Sequence, residues 1–198
     1  MNKILKVLLS IVAIAILLAG AVLAYKFLSE NYAPPTGTDE NLSDSSAGNS
    51  NPDNSNESVT APNFTVYDAD GNTVSFDEMK DGKPIVINFW ASWCGPCKNE
   101  MPDFQAVYDE YGDKVNFMII NMTDGSRETV ETAHAFIEKS GYSFPVYYDK
   151  DMSGSAAYNV TGIPTTVIVS KEGYVFSHEL GMISGDSFKS TLEDLLSE

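Results

Sequence analysis

Short apolar runs alternate with amphipathic stretches from Pro62 to the end of the chain, and this pattern predicts an α/β domain. Apolar, β-branched runs indicate strands, whereas apolar residues three and four positions apart indicate helices. The predicted strands are 64–67, 73–76, 85–90, 114–122, 144–148, 165–169 and 174–179. The predicted helices are 98–111, 126–140, 153–158 and 184–196. This order favours a mixed central β-sheet with helices on both faces.

Two turn signals join neighbouring strands of this predicted sheet. Asp70-Gly71 separates the first two strands, and Glu172-Gly173 separates the last two. Such dipeptides between apolar runs are typical of β-hairpins. The domain is therefore predicted to begin and to end its sheet with an antiparallel pair.

The N-terminal segment has a different pattern. Residues 7–25 form 19 consecutive uncharged and mostly apolar positions, flanked by Lys3, Lys6 and Lys26. A bilayer-crossing helix needs about 20 such residues, and the preceding lysines keep the N-terminus in the cytoplasm. We predict that residues 1–28 are a cytoplasmic tip and an uncleaved transmembrane signal-anchor. A cleaved secretory signal, with Ala19-Gly20-Ala21 at its end, is the alternative.

A polar segment follows the apolar one. Residues 29–61 are rich in Asn, Ser, Asp, Thr and Pro, and contain six acids and no Lys or Arg. So little apolar surface cannot offset the conformational entropy of folding. We therefore predict a disordered tether at 29–61 and place the folded domain at 62–198.

The net charge of −16 limits the classes of partner. Proteins that bind nucleic acids present a basic stripe, and most of the acids here fall within the predicted domain. We expect no nucleic-acid partner, and no flat contact of the domain with anionic lipid.

The only two cysteines of the chain, Cys94 and Cys97, follow the strand at 85–90 and precede the helix at 98–111. Two cysteines at this spacing can close a reversible disulfide, and a helix N-terminus lowers the pKa of a thiol placed there. A structural zinc site would need two further ligands at similar spacing, and His134 and His178 are far apart in sequence. The pair therefore indicates redox chemistry, with no metal.

Two segments carry a resemblance to a known family. Asn88-Phe89-Trp90-Ala91-Ser92-Trp93-Cys94-Gly95-Pro96-Cys97-Lys98 resembles the active site of the thioredoxin superfamily, and Gly162-Ile163-Pro164-Thr165-Thr166 is similar to its cis-proline loop. The N-terminal hairpin, a central insert at 122–149 and Lys98-Asn99-Glu100-Met101-Pro102 are similar to the TlpA/ResA-like, membrane-anchored thiol-disulfide oxidoreductases. The resemblance implies a thioredoxin-like fold.

The resemblance also implies roles for individual residues. Cys94 is expected to be the exposed nucleophile, and Cys97 to resolve the mixed disulfide that Cys94 forms. Residues on both segments are expected to bind the substrate chain, namely Trp93, Gly95, Pro96, Ile163 and Pro164. No cofactor is expected beyond the Cys94–Cys97 disulfide.

Glu100 is a candidate third catalytic residue. Thioredoxin has a buried Asp where this chain has Asn88, and an Asn cannot exchange a proton at neutral pH. Glu100 occupies the position of an active-site Glu of the TlpA/ResA-like branch. The alternative is a solvated residue in the first turns of a helix, where acids are common.

Together these features predict a monomeric disulfide reductase on the extracytoplasmic side of the cell membrane. The resemblance implies as partners oxidised extracytoplasmic proteins, such as apocytochrome c or methionine sulfoxide reductase, and a membrane electron donor of the CcdA/DsbD kind. An oxidase or isomerase of exported proteins and a thioredoxin-fold metal chaperone are the alternatives. A peroxidase would need a differently placed cysteine, which the chain lacks.

Overall fold

The computed structural model describes Lys26 and residues 59–197. The chain divides into two units, residues 1–53 and 54–198, and only the second is described beyond a single residue. The predicted signal-anchor and most of the predicted tether lie outside the described residues and stay predictions. Within the described part of the chain, no helix combines the length and the apolar character that a bilayer crossing requires.

The described chain forms a seven-stranded mixed sheet with the order β2-β1-β5-β4-β3-β6-β7. The strands are β1 (Thr65–Tyr67), β2 (Thr73–Ser75), β3 (Ile85–Trp90), β4 (Asn116–Asn121), β5 (Val146–Tyr148), β6 (Thr165–Val169) and β7 (Val175–Leu180). The three strands β5, β4 and β3 are parallel to one another, and the remaining pairs are antiparallel. Both predicted hairpins are confirmed.

Within residues 59–197, four α-helices and one 3₁₀ turn pack on this sheet. They are α1 (Gly95–Tyr111), α2 (Val130–Ser140), α3 (Ser153–Ala157), α4 (Gly185–Leu196) and the 3₁₀ turn Phe76–Met79. The predicted start of α2 at residue 126 is four residues early. Asp124 Oδ1 accepts the N–H groups of residues 126–128, so this segment is a turn, and Thr129 caps the helix.

The strand β3 lies at the centre of the core, because all six of its residues are buried. Val86 and Trp90 pack on one face of the sheet against residues of α1, α2 and α4. Ile85, Ile87 and Phe89 pack on the other face, with aromatic residues of the N-terminal hairpin and with Tyr158 after α3. The apolar run therefore places β3 at the centre of the core, and the turn that follows β3 lies at its carboxyl end.

The folded domain includes residues that the sequence assigned to the tether. Thr60 forms an antiparallel bridge with Tyr174, the Ala61 N–H donates to Gly173, and Val59 accepts from the Val175 N–H. Ala61 is also buried. The predicted boundary between 61 and 62 is thus too late, because backbone pairing with the β6–β7 hairpin holds residues 59–61.

Candidate active site

The two cysteines lie where β3 gives way to α1. Cys94 caps the N-terminus of α1, and its Sγ accepts the Cys97 N–H at 3.2 Å. The two residues form a disulfide, with their Cα atoms 5.3 Å apart. Cys94 retains 4% of its surface and Cys97 none. Cys94 is therefore buried in this disulfide form, contrary to the expectation of an exposed nucleophile, although it keeps the larger accessible fraction of the two. As a thiolate it would be stabilised by the backbone N–H groups at the helix start.

The second segment of the resemblance lies directly against the first. The Ile163–Pro164 peptide bond is cis, and the Ile163 carbonyl oxygen is 3.7 Å from Cys94 Sγ. Pro164 is buried, and its carbonyl accepts the Gly181 N–H at 2.8 Å. The turn before β6 is therefore tied to the end of β7 and positioned beside the sulfur atoms.

Glu100 is buried, with only 1% of its surface exposed, so the alternative of a solvated helix residue is wrong. Its Oε1 accepts from Asn88 Nδ2 at 2.9 Å, and its Oε2 accepts the Ile183 N–H at 3.1 Å. Burial raises the pKa of Glu100 to about 7, although both hydrogen bonds act to lower it. Asn88, which also donates to Thr166 Oγ1 at 3.1 Å, holds this carboxylate in place.

Glu100 follows Cys97 by three positions in α1, so the two side chains share a helix face. Both side chains are buried. A carboxyl group whose pKa is near neutrality can accept or donate a proton at physiological pH. The site thus combines two buried cysteines, of which Cys94 keeps slight exposure, with a buried proton carrier.

A groove of about 180 Å³ opens beside the disulfide. Trp93, which is 39% exposed, forms one wall, and Ile163 of the cis-proline loop forms another. The remaining lining is Met122, Asp124, Met152, Val160, Thr161 and Gly162. Its apolar walls suit a side chain of a bound polypeptide, and a cavity of about 150 Å³ already accommodates benzene.

The remaining candidates do not join this cluster. His134 and His178 are exposed, and Lys98 is exposed on the first turn of α1. Within residues 59–197 no group of three or more metal-ligating side chains occurs.

Comparison with known proteins agrees with this geometry. The AhpC/TSA family model matches residues 58–178. The thioredoxin-like protein YneN of Bacillus subtilis is 31% identical over 137 residues, which are 69% of this chain and 79% of YneN. The thiol-disulfide oxidoreductase ResA of Bacillus anthracis is 35% identical over 136 residues, which are 69% of this chain and 74% of ResA.

The chain belongs to the AhpC/TSA family, as a ResA-like thiol-disulfide oxidoreductase. The crystal structure of StoA from Bacillus subtilis superposes with a TM-score of 0.58 at 25% identity, covering 68% of this chain and 98% of StoA. The thioredoxin-like fold predicted from the sequence is thereby confirmed, and so is the resemblance to the ResA-like proteins.

This ResA-like chain has one buried carboxylate beside the site that the sequence did not reveal. Glu128 has none of its surface exposed and accepts three hydrogen bonds: from the Ser92 N–H at 2.9 Å, Ser92 Oγ at 2.8 Å and Asn121 Nδ2 at 2.8 Å. Nothing in the sequence separates Glu128 from the other acids of a polar loop, because its partners are 7 and 36 positions away.

Proposed function

We propose that this oxidoreductase acts as a disulfide reductase on the extracytoplasmic side of a membrane, where the predicted signal-anchor tethers it. The burial of Glu100 beside the cysteine pair carries the proposal for the direction of electron flow. The uncharged span at 7–25 and its flanking lysines support the location.

Glu100 favours reduction of a client for an electrostatic reason. An ionised carboxylate near a thiolate disfavours the thiolate and so raises the pKa of the thiol. A dithiol whose thiolate is destabilised gives up its electrons more readily, which makes the couple more reducing. Lys98 directly follows Cys97, and its positive charge would lower a thiol pKa. Its side chain is exposed, so the solvent screens this effect.

The proposed reaction moves two electrons from the enzyme to the client. The Cys94 thiolate attacks one sulfur of the client disulfide, forms a mixed disulfide and releases the other client sulfur as a thiolate. Glu100 takes the proton of the Cys97 thiol, and the Cys97 thiolate attacks Cys94 Sγ. The second client thiolate then leaves and takes up a proton, which leaves a reduced client and the Cys94–Cys97 disulfide.

Substrate binding is proposed to use the two segments that meet at the sulfur atoms. Trp93, Gly95 and Pro96 are exposed around Cys94, and Ile163 next to the buried Pro164 offers its backbone to an extended client segment. The clients proposed are oxidised extracytoplasmic proteins. Since the chain has no second cysteine pair, a membrane electron donor of the CcdA/DsbD kind is proposed to reduce the disulfide again.

The test is the redox state and sidedness of the cysteines in intact cells. Cells are quenched in acid and labelled with a maleimide, and a parallel sample is labelled first with a maleimide that does not cross membranes. We expect the full-length wild type to be mainly reduced, to be labelled from outside and to stay in the membrane fraction at high salt. A mainly oxidised pair would contradict the reductase direction, and labelling only after lysis would contradict the location.

The two single-cysteine variants complete this experiment. Cys97→Ser cannot resolve the mixed disulfide and should accumulate adducts with clients, whereas Cys94→Ser, the matched control, should not. Adducts on Cys94→Ser alone would reverse the assigned roles of the two cysteines.

A further inference from the structure

The loop between β4 and α2, residues 122–129, holds the active-site turn at two consecutive residues. The Glu128 carboxylate accepts hydrogen bonds from the Ser92 backbone N–H and from the Ser92 hydroxyl. The adjacent Arg127 places its guanidinium carbon 3.6 Å from the centroid of the Trp93 ring. Ser92 and Trp93 directly precede Cys94, so the loop contacts the turn that presents the nucleophile.

The loop itself is held firmly. Asp124 Oδ1 accepts the backbone N–H groups of Ser126, Arg127 and Glu128 at 2.7 to 3.0 Å, and the Gly125 N–H donates to the Glu128 carbonyl. The Met122 N–H donates to the Trp90 carbonyl at 2.8 Å, at the end of β3. The positions of Arg127 and Glu128 therefore depend on the loop backbone as well as on their own contacts.

Arg127 is the only arginine in the chain, and every other strong cation is a lysine. A guanidinium is planar and stacks on aromatic faces, whereas an ammonium is a compact and strongly hydrated charge. Within residues 59–197 Arg127 makes no ion pair within 4 Å; its guanidinium stacks on Trp93 and also attracts the Asp124 carboxylate at longer range. A cation stacked on an exposed aromatic ring stabilises one orientation of that ring.

The orientation of Trp93 matters because the ring is a wall of the groove beside the disulfide. Met122 and Asp124 of the same loop line this groove on a further side. A fixed ring keeps the groove open for a client side chain, and a free ring would have to be ordered each time a client binds.

We propose that the β4–α2 loop is a clamp for the active-site turn, in which Glu128 positions Ser92 and Arg127 sets client affinity by holding Trp93. Arg127 acts through Trp93 on binding, and the thiol chemistry at Cys94 is left unchanged. The proposal rests on the proposed function for the identity of the client and on the described contacts for the residues.

The test measures single-turnover kinetics of the reduced full-length protein with a peptide that contains an intramolecular disulfide. The half-saturating peptide concentration and the maximal rate are determined separately. Arg127→Ala should raise the half-saturating concentration about two- to fivefold, the range of an exposed cation–π contact, with the maximal rate within about 1.5-fold of wild type. Arg127→Lys, which keeps the charge and loses the planar stack, should have a half-saturating concentration between those of the wild type and Arg127→Ala.

A double-mutant cycle decides whether Arg127 works through Trp93. In a Trp93→Ala background, Arg127→Ala should change the half-saturating concentration by less than about 1.3-fold, because the two effects share one contact. Additive effects would overturn the proposal, as would an unchanged half-saturating concentration in Arg127→Ala. Lys114→Ala is the matched control, since it removes a cation over Tyr111 at the far end of α1, about 25 Å from Cys94.

Fluorescence provides a readout that is independent of turnover. The chain has two tryptophans, of which Trp90 is buried and Trp93 exposed, so acrylamide quenching reports mainly on Trp93. Quenching should increase in Arg127→Ala and in Glu128→Ala and remain near wild type in Glu128→Gln, which keeps an acceptor for Ser92. If Glu128→Ala does not fold, the Arg127 variants still decide the proposal.

Failure of the clamp is separable from failure of the proposed function. If the wild type oxidises the dithiol form of the peptide and does not reduce its disulfide, the proposed direction is wrong, and the affinity comparison is made with the dithiol peptide. If the wild type reduces the disulfide and Arg127→Ala matches it in affinity and quenching, the clamp alone is wrong.

Discussion

At the scale of single residues, the site depends on one carboxylate that the fold removes from water. Burying an acid disfavours its charged form, and the two hydrogen bonds from Asn88 and Ile183 compensate only in part, which leaves the pKa of Glu100 at about 7. The raised pKa that suits Glu100 to proton transfer also makes the stability of the folded state depend on pH.

Replacement of Glu100 by Gln should therefore flatten the pH dependence of stability. The folded-state pKa is raised, so the folded state binds this proton more tightly than the unfolded state does. The corresponding stabilisation is complete below pH 4.5 and is lost as the pH rises through about 7. The wild type should lose at most about 3 kcal/mol over this interval, since one pKa unit corresponds to about 1.4 kcal/mol, and Glu100→Gln should lose little.

Urea titrations at several pH values measure this difference, and thiolate absorbance gives the accompanying thiol pKa. Glu100→Gln should also lower that thiol pKa and slow the resolving step. Asp109→Asn, which removes an exposed acid from the same helix, is the control and should change neither quantity. If Glu100→Gln has the pH profile of the wild type, the carboxylate does not titrate in this interval.

At the scale of elements, short helices here depend on side chains that satisfy their first N–H groups. Asp149 has none of its surface exposed, and its two oxygens accept the N–H groups of Gly154 and Ser155 at 3.1 and 2.8 Å, in the first turn of α3. The helix α3 lies between Met152 of the groove and the segment that leads to the cis-proline loop. Asp149 therefore fixes one border of the client groove.

We expect Asp149→Ala to destabilise the domain by about 1–3 kcal/mol, because it leaves two buried N–H groups without an acceptor. Asp149→Asn, which retains one acceptor oxygen, should destabilise less. Denaturant midpoints measure both effects, and the thiol pKa of each variant should stay at the wild-type value. A midpoint unchanged in Asp149→Ala would show that water replaces the carboxylate.

The elements also show what could be predicted from the sequence. The strand β3 was predictable to the residue because it is apolar on both faces, and the turn Asp70-Gly71 defined the first hairpin. The start of α2 was not predictable, because the turn at 126–128 depends on hydrogen bonds to the Asp124 side chain. The apolar periodicity carries no information about these bonds. Glu100 was a candidate only through the resemblance and Glu128 was not one at all, because burial of an acid depends on partners that are distant in sequence.

At the scale of the whole molecule, the residues that lead into the domain form part of it. Val59 and Ala61 together contribute two backbone hydrogen bonds to the β6–β7 hairpin. A chain that begins at Pro62 should therefore be less stable than one that begins at Asn54, by about 1–2 kcal/mol, the net value of two such bonds.

Thermal unfolding monitored by circular dichroism checks this expectation, and the loss should lower Tm by several degrees. A chain that begins at Val59 is the matched control and should retain most of the stability. Equal Tm values for the chains that begin at Asn54 and at Pro62 would mean that the pairing at residues 59–61 contributes nothing measurable.

Residues 59–61 join the sheet at the end that is remote from the disulfide. Thr165 pairs with Phe89 near the disulfide, whereas Val169 pairs with Ile85 at the other end of the strands, next to the hairpin that holds Thr60. The point at which the chain enters the described domain and the sulfur atoms thus lie at opposite ends of the sheet. A client that binds at the disulfide would therefore approach the domain from the end opposite to Thr60.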